Sequence, residues 1–195
     1  MAKTIAIAGC VSRIGTTTQA IQSVLTVKQS GLKACYLEMN RTGYLDNLLA
    51  LYGTAEDRKN LIRFSGMDMY KRGYAKSISK KDWDYVIRDY GSASDEAFEE
   101  TSFAEQPLKI VICGSKPKEI FKTQDLLGNP VYDDSFFVFS FVPEEDRMAI
   151  KSLMGRRAEK TFFAGITLEP YELVTDSVKT YKRIINLNEG GSYGE

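Results

Sequence analysis

The residues best suited to chemistry form one short loop, residues 9–18, which reads Gly-Cys-Val-Ser-Arg-Ile-Gly-Thr-Thr-Thr. An apolar run, residues 4–8, precedes the loop, and a stretch with apolar residues at helical spacing, residues 17–30, follows it. In a strand–loop–helix unit of this kind, unpaired backbone N–H groups and the positive end of the helix dipole point at the loop. The sequence therefore predicts a site for a phosphate at this loop.

The loop matches part of the pattern G-x-x-x-x-G-K-[ST], in which glycines shape the backbone, the lysine neutralises phosphate charge and the hydroxyl binds Mg²⁺. Gly15 takes the second glycine position and Thr17 takes the hydroxyl position. Gly9 lies one residue early, and Thr16 stands where the lysine belongs. Arg13 is the single cation of this loop, so it is a candidate replacement for the lysine or a solvent-facing side chain. The alternative to a phosphate site is a tight turn whose threonines cap the helix.

Polar residues also end two further predicted strands. Glu38 and Asn40 follow the second predicted strand, and Asp89 ends a later one. Ligands of parallel α/β sheets bind at the carboxyl ends of the strands, so we expect the segments 38–43, 89–91 and 114–116 to lie near the loop. Glu38 and Asn40 have an alternative role as caps of the following turn, and Asp89 has one as an acceptor for loop N–H groups.

The composition excludes several classes of site. Lys and Arg number 26 and so do Asp and Glu, so no bulk attraction to nucleic acid or to an anionic membrane is expected. Histidine is absent, which excludes Ser-His and Cys-His catalysis and His-ligated metals. Cys10, Cys35 and Cys113 lack CxxC spacing and are predicted to be buried free thiols. No signal-peptide core and no apolar run of membrane-spanning length is present, so we expect a cytoplasmic protein.

Two segments are rich in cations. Residues 71–81 contain five basic residues, which we interpret as a solvated loop or sheet edge. The last predicted helix carries Lys179, Lys182 and Arg183 beside apolar residues. We interpret it as a core-packed helix with a solvated basic face, rather than as a membrane-binding helix.

Strands and helices alternate along most of the chain. The predicted strands are 4–8, 33–37, 61–64, 67–70, 84–89, 108–113, 135–142 and 161–166, and the predicted helices are 17–30, 44–52, 93–104, 117–127, 143–154 and 171–185. This alternation predicts an α/β fold, a three-layer sandwich around a mainly parallel central sheet. We expect a single domain over residues 1–186 and a flexible tail over residues 187–195.

Three stretches give the chain a resemblance to the ParA/MinD group of P-loop ATPases, which position plasmids, chromosomes, division sites and other cellular machinery. Residues 11–17 align with the deviant loop of that group, K-G-G-x-G-K-[ST]. Residues 37–40 align with its switch I strand end, D-x-D, and residues 85–91 with its Walker B and switch II stretch. The resemblance implies a P-loop NTPase-like fold and a site for ATP or ADP with Mg²⁺. The candidate nucleotide-binding residues are Ser12, Arg13, Ile14, Gly15, Thr16, Thr17 and Thr18.

The chain departs from the group at its charged positions. Val11 and Thr16 replace both lysines of the loop. Glu38 and Asn40 replace the two switch I aspartates, and Asn40 cannot take a proton from water. The switch positions that are catalytic in the group are occupied here by Asn40 and Asp89, and the candidate Mg²⁺ ligands are Thr17, Glu38 and Asp89. Phosphoryl transfer depends on positioned positive charge, so slow ATPase activity or none is expected.

The leading hypothesis is a degenerate ParA/MinD-like protein, a localisation, assembly or regulatory factor that acts through partner binding, with nucleotide weakly bound or absent. The alternative is a functional ATP-binding switch ATPase in partitioning or positioning, with Arg13 in place of the lysine. A Rossmann-type dinucleotide enzyme is a third hypothesis, because Glu38 stands where a ribose-binding acid would be. We expect a protein partner and leave a homodimer open, while nucleic acid and membrane are not expected partners.

Overall fold

The computed structural model describes residues 2–52, 56–58, 61–78 and 80–190. Its strands are β1 (Lys3–Gly9), β2 (Ala34–Glu38), β3 (Glu56–Arg58), β4 (Leu61–Phe64), β5 (Met67–Tyr70), β6 (Tyr85–Ser92), β7 (Leu108–Cys113), β8 (Phe136–Phe139) and β9 (Thr161–Phe163). Its α-helices are α1 (Thr16–Gln29), α2 (Tyr44–Leu51), α3 (Ala75–Ile78), α4 (Glu100–Ala104), α5 (Pro117–Leu127), α6 (Arg147–Met154) and α7 (Thr175–Asn188). Short 3₁₀ helices span Pro130–Tyr132, Glu144–Asp146 and Gly155–Lys160.

Within the described residues the strands form one sheet in the order β3-β4-β5-β2-β6-β1-β7-β8-β9. Six neighbouring pairs, from β5–β2 to β8–β9, are parallel, and the two pairs at the β3 edge are antiparallel. β1 lies between β6 and β7, so the loop after it opens at the centre of the carboxyl edge of the sheet. The predicted α/β fold with a mainly parallel sheet is therefore confirmed.

Helices cover both faces of the sheet, which explains why its central strands are apolar on both sides. Ile5, Ala6, Ile7 and Ala8 are all fully buried in β1. α1 and α7 pack together, and the Tyr181 hydroxyl donates to Gln19 Oε1 at 2.7 Å across this contact. Because consecutive residues of a strand point to opposite faces, Phe162 and Phe163 of β9 face different helix layers. Their rings lie under Arg183 of α7 and Arg147 of α6 respectively.

Several predicted elements are confirmed with their boundaries. Residues 61–64 and 67–70 form the antiparallel strands β4 and β5 around the left-handed residues Ser65 and Gly66. β7 and α5 span the predicted 108–113 and 117–127. The three cysteines are buried free thiols, as expected.

The predicted helix over residues 93–104 is wrong in its first half, because α4 covers Glu100–Ala104 alone. The preceding residues form turns in which side chains bind the local backbone. Ser94 N donates to Ser92 Oγ at 3.2 Å, and Ala97 N donates to Asp95 Oδ1 at 2.8 Å. Such local bonds take the amide groups that a helix would use.

The two strands at the far edge are shorter than predicted. β8 ends at Phe139 instead of reaching residue 142, because Phe141 adopts a left-handed conformation with φ 58°. β9 ends at Phe163 instead of residue 166, and Gly165 then packs so closely that a Cβ there would lie 2.7 Å from Val174 Cγ1. The helix predicted from residue 143 begins as a 3₁₀ turn, and α6 starts at Arg147.

The last helix also differs from its predicted span of 171–185. α7 starts later, at Thr175, because the side chain of Gln22 in α1 binds the backbone before it. Gln22 Nε2 donates to the carbonyls of Pro170 and Glu172 at 2.9 and 2.6 Å, and its Oε1 accepts Val174 N at 3.1 Å. α7 continues through Asn188, so the tail predicted from residue 187 begins with helical residues, and residues 191–195 lie outside the described part.

Candidate functional site

The loop between β1 and α1 has a backbone that glycine and left-handed residues shape. A Cβ on Gly9 would lie 2.2 Å from Thr16 Oγ1 and 2.6 Å from Ile14 Cγ2, so the loop folds directly over this position. Gly15 caps α1 with φ 91°, and Arg13 is left-handed with φ 63°. A left-handed arginine is uncommon and strained, and such strain concentrates at functional sites. The first N–H groups of α1, from Thr16 onward, have no carbonyl partner within the helix.

A cavity of about 440 Å³ opens over this loop. Its lining residues come from three carboxyl-end loops of the sheet: Ser12, Arg13, Gly15, Thr16, Thr17, Thr18, Asn40, Thr42, Gly91, Ser92 and Asp95. Among these, Arg13 is the one cation and Asp95 the one carboxylate, and both are exposed. The cavity therefore combines a volume in the range of small-molecule sites with a lining of zero net charge.

Asp89 is buried beside the cavity, and three donors bind its carboxylate. Thr17 Oγ1 donates to Asp89 Oδ2 at 2.6 Å, and the Tyr36 hydroxyl donates to the same oxygen at 2.7 Å. Gly91 N donates to Oδ1 at 2.9 Å. Burial raises the pKa of Asp89, and the bonds from Thr17 and Tyr36 act in the opposite direction. Burial also raises the pKa of Tyr36 well above its ordinary value.

Asn40 is held by its neighbours on both sides of its carboxamide. Its Nδ2 donates to the Asp89 carbonyl at 3.1 Å, and its Oδ1 accepts Thr42 N at 3.0 Å and Thr42 Oγ1 at 2.6 Å. The Asn40 side chain also packs against Gly91, where a Cβ would lie 2.8 Å from Asn40 Cβ. Asn40 therefore links the loop after β2 to the end of β6, and its bonds to Thr42 shape the turn after β2.

Glu38 points away from the cavity that it was predicted to share. Its Oε1 accepts Tyr44 N at 2.7 Å, so it binds the first turn of α2. Burial raises the pKa of Glu38, and the bond from Tyr44 opposes that rise. The structure thus places Glu38 as a helix cap, one of the two roles that the sequence left open.

The structure brings most of the predicted nucleotide-binding residues together. The exception is Ile14, whose side chain is buried in the core. The segment 114–116 does not line the cavity, and Gly114 packs under the loop instead, because a Cβ there would lie 2.7 Å from Ile14 Cδ1. Sequence reasoning missed Tyr36, although its spacing of two from Glu38 places both on one face of β2. It also missed the lining residues Ser92 and Asp95, whereas Thr42 belongs to the segment 38–43 that was expected near the loop.

Two of the three candidate Mg²⁺ ligands fit that ion. Thr17 and Asp89 supply the hydroxyl and carboxylate oxygens that Mg²⁺ prefers, and they lie in contact. Glu38 is not among the lining residues of the cavity, and its Oε1 accepts Tyr44 N, so its role as a ligand stays a prediction. Across the described ranges, no group of three or more His, Cys, Asp or Glu side chains is placed to hold a metal ion. A Mg²⁺ ion would therefore depend on the Thr17–Asp89 pair, in which the Thr17 hydroxyl donates its proton to Asp89 and keeps its lone pairs for the ion.

Solved structures of ParA and MinD proteins share this fold. The MinC:MinD cell division protein complex of Aquifex aeolicus matches with TM-score 0.71 and 11% identity, over 100% of this chain and 98% of that chain. A ParA family ATPase from Chlorobium tepidum matches with TM-score 0.59 and 10% identity, over 97% and 99% of the two chains. A plasmid partition protein of Borrelia burgdorferi bound to AMPPNP matches with TM-score 0.64 and 12% identity, over 97% and 98%.

No family model matches the chain, and no curated protein matches it in sequence. The fold is nevertheless shared with solved ParA and MinD ATPases, and the structural match covers nearly the full length of both chains. Among the helices of the described residues, none has both the length and the apolar character needed to cross a membrane.

Proposed function

We propose that this protein is a degenerate ParA/MinD-like factor that localises or assembles other molecules by binding a protein partner. Nucleotide is weakly bound or absent, and hydrolysis is slow or lost. The observation that carries the proposal is the charge of the cavity, where Arg13 is opposed by Asp95 and the remaining lining is neutral. The fold of the ParA/MinD ATPases supports the class of process, and the MinC:MinD complex is a neighbour that works with a protein partner.

The missing charge bears directly on phosphoryl transfer. That reaction is catalysed by positioning and by positive groups that stabilise charge on the transferred phosphoryl, and one such group contributes roughly 10³–10⁵ in rate. Thr16 offers a hydroxyl at the position of the loop lysine, and Val11 is apolar at the position of the signature lysine. A loop with both substitutions keeps its backbone donors for an anion and loses its strongest electrostatic contribution.

The switch positions support the same proposal. Asn40 has no proton-accepting carboxylate, and its amide is engaged with Asp89 and Thr42. If Mg²⁺ binds, Thr17 and Asp89 would hold it and the ion would neutralise phosphate charge. In the observed arrangement the Thr17 hydroxyl donates to Asp89, so the two side chains are already held together.

Exposed apolar side chains near the carboxyl edge support a protein partner. Phe141 and Ile166, which follow β8 and β9, are 56% and 66% exposed, and Leu168 is 92% exposed. Contiguous exposed apolar patches mark protein–protein contact sites, so these three side chains are our candidate contact residues for a partner.

A MgATP hydrolysis assay tests the proposal. We expect no turnover above background from the wild-type protein, and light scattering should show no dimer that depends on MgATP. Turnover at the rate of active relatives, lost in Asp89→Ala and retained in Asp95→Ala, would overturn the proposal. Asp95 is the matched control, because it lines the same cavity but is exposed and unlinked to Thr17.

A functional ATP switch is the second candidate, and the conformation of Arg13 favours it. Arg13 adopts a left-handed backbone at a loop position that is glycine in the ParA/MinD pattern, and it lines the cavity. It makes no ion pair with any residue in the described ranges. Calorimetry separates the candidates: MgATP or MgADP binding that Arg13→Ala removes would support the switch, and absence of binding at millimolar nucleotide would eliminate it.

The dinucleotide hypothesis loses its main support, because the Glu38 carboxylate caps α2 instead of facing the cavity. Binding of NAD with direct contacts to Glu38 would restore the dinucleotide hypothesis.

A further inference from the structure

A second charged pocket, here called the edge pocket, lies at the β9 end of the sheet. It has a volume of about 240 Å³ and is lined by Arg147, Lys151, Glu159, Thr161, Phe162, Phe163, Lys179, Thr180 and Arg183. Two of its cations come from α6 and two from α7, and on each helix they are four residues apart and share one face. The two helices lie on opposite faces of the sheet, so the four cations meet around its terminal strand.

The aromatic residues of β9 hold the arginines in place. The Arg147 guanidinium carbon lies 5.3 Å from the centre of the Phe163 ring, and that of Arg183 lies 5.5 Å from the centre of the Phe162 ring. Thr180 Oγ1 donates to the Phe163 carbonyl at 2.8 Å, which ties α7 to the same strand. A guanidinium held over an aromatic ring has a restricted position, so part of the pocket is organised before anything binds.

The charge of the edge pocket is poorly balanced by the protein. Four cationic side chains and one carboxylate, Glu159, line the pocket, in a chain whose formal net charge is zero. A second carboxylate, Asp176, lies outside the lining and 3.6 Å from Lys179 Nζ. Lys151 has no ion pair in the described part of the chain. Arg147 Nε is buried and has no hydrogen-bond partner among the described residues. A buried donor without a partner is uncommon in native proteins and is often explained by a bound ion or water.

The other basic segment of the chain differs in this respect. Within residues 71–81, Lys71 Nζ lies 2.6 Å from Asp46, Arg72 pairs with Glu99, and Lys81 Nζ lies 3.3 Å from Asp68. Those cations are neutralised by acids of the chain itself. In the edge pocket, Lys151 has no such partner in the described part of the chain, and Arg147 Nε is buried without one.

We propose that the edge pocket binds a small phosphate-bearing anion with at least two negative charges, such as a diphosphate or a phosphomonoester. Arginine presents a fork of N–H donors that matches phosphate oxygens, and lysine adds a mobile point charge. A concave pocket of about 240 Å³ suits a compact group, whereas a nucleic-acid strand would need cations spread along an open surface. The pocket is separate from the cavity over the loop between β1 and α1, here called the P-loop cavity. β9 is three strands from β1, or roughly 14 Å at the usual strand spacing.

Calorimetry with sodium pyrophosphate tests the proposal on the full chain. We expect wild-type protein to bind and the affinity to fall with added salt. Lys151→Gln should weaken binding about tenfold, and Arg147→Gln with Lys151→Gln about 100-fold, because each loses a charge-assisted contact. The matched control is Lys118→Gln, an exposed lysine of α5 outside the pocket, which should leave the affinity unchanged.

One further variant separates the edge pocket from the P-loop cavity. Binding that survives Arg13→Gln and is weakened by Lys151→Gln supports the proposal. Lys151 is exposed and unpaired, so its substitution should leave the melting temperature unchanged and the test stands even if the double variant is unstable. No binding at millimolar pyrophosphate, or equal binding by Lys151→Gln and wild type, overturns the proposal.

The source of the phosphate is distinguished by two further measurements. Sedimentation with vesicles of phosphatidylcholine and phosphatidic acid, lost in Lys151→Gln and displaced by pyrophosphate, would assign a lipid headgroup. Pyrophosphate binding without vesicle binding would assign a free phosphate ligand. Binding of duplex DNA that pyrophosphate does not displace, together with weak pyrophosphate binding, would overturn the proposal in favour of nucleic acid.

Discussion

The P-loop cavity and the edge pocket separate two properties that an anion site normally combines. The P-loop cavity has the backbone shape, with Gly15 at the start of α1 and a left-handed Arg13, but its lining carries one cation and one carboxylate. The edge pocket has no such loop, yet four cations converge on it against one carboxylate. The comparison teaches that the backbone geometry of an anion site and the charge of an anion site can occur separately in one fold.

The energetic difference between the two sites follows from where their polar atoms point. Donors beside the P-loop cavity are engaged with the protein itself, since Thr17 and Tyr36 both bind Asp89. In the edge pocket the Nε of Arg147 is buried without a partner. Side-chain donors at the first site are therefore already engaged, whereas the second site contains a donor with no partner among the described residues.

The largest effect is expected from Thr16→Lys, which adds a positive charge to the P-loop cavity and so removes its main difference from the edge pocket. If the loop has kept its shape, affinity for MgATP should rise by roughly 10- to 150-fold, the equivalent of one charge-assisted hydrogen bond. Calorimetry measures the change, with Thr18→Lys as a control that adds the same charge one helix position beyond the pattern. Equal gains from both variants would show that the loop no longer directs a lysine to the phosphate.

The shape of the loop can be broken instead with Gly9→Ala. The added Cβ would lie within 2.6 Å of both Thr16 Oγ1 and Ile14 Cγ2, so we expect a loss of about 1–3 kcal/mol in the free energy of unfolding. Urea denaturation measures it. Gly128→Ala is the control, because its Cβ would meet only the Asp125 carbonyl at 3.4 Å, and an equal loss there would contradict the assigned close approach.

Tyr36→Phe tests whether the Asp89 carboxylate is held by neutral donors. Removing the hydroxyl should cost about 1 kcal/mol of unfolding free energy, the net value of a typical hydrogen bond. Tyr85→Phe removes a hydroxyl that binds the partly exposed Glu189 at 2.6 Å and should cost less. If Tyr36→Phe left the free energy of unfolding unchanged, the Tyr36 hydroxyl would not contribute to holding the Asp89 carboxylate.

The smallest expected effect is a pH dependence from Asp89. Its pKa in the folded state is raised above the ordinary 3.8, so folding favours the protonated form. The stability that this proton contributes is present below the unfolded pKa and is lost as pH rises through the folded pKa. Wild type should therefore lose stability relative to Asp89→Asn as pH rises from about 4. Urea midpoints measured from pH 4 to 7 test this, and a gain with rising pH would contradict it.

Much of the fold followed from local patterns. The strand, glycine loop and helix of β1, the 9–18 loop and α1 could be predicted because each depends on residues adjacent in sequence. The end of β8 and the start of α7 could not be predicted, because Phe141 and the segment before α7 adopt conformations that depend on distant contacts. Gln22 of α1 fixes that segment through three hydrogen bonds across about 150 positions of sequence.

The candidate site also has one part that local sequence predicts and another that depends on the tertiary structure. The loop residues 12–18 were identifiable, but the orientation of Glu38 toward α2 and the bond from Tyr36 to Asp89 depend on how three strands meet. A side chain at a strand end can face a ligand or cap a helix, and the sequence pattern is the same for both.

The sequence by itself determined the loop at residues 9–18, its missing lysine and the alternation that makes a parallel sheet, because local spacing sets these features. The tertiary structure decided which charges meet. Arg147 with Lys151, and Lys179 with Arg183, lie on helices about 30 residues apart in sequence, and each pair looks like an ordinary solvated helix face. They form one pocket because the sheet ends at β9 and the two helix layers close around its edge.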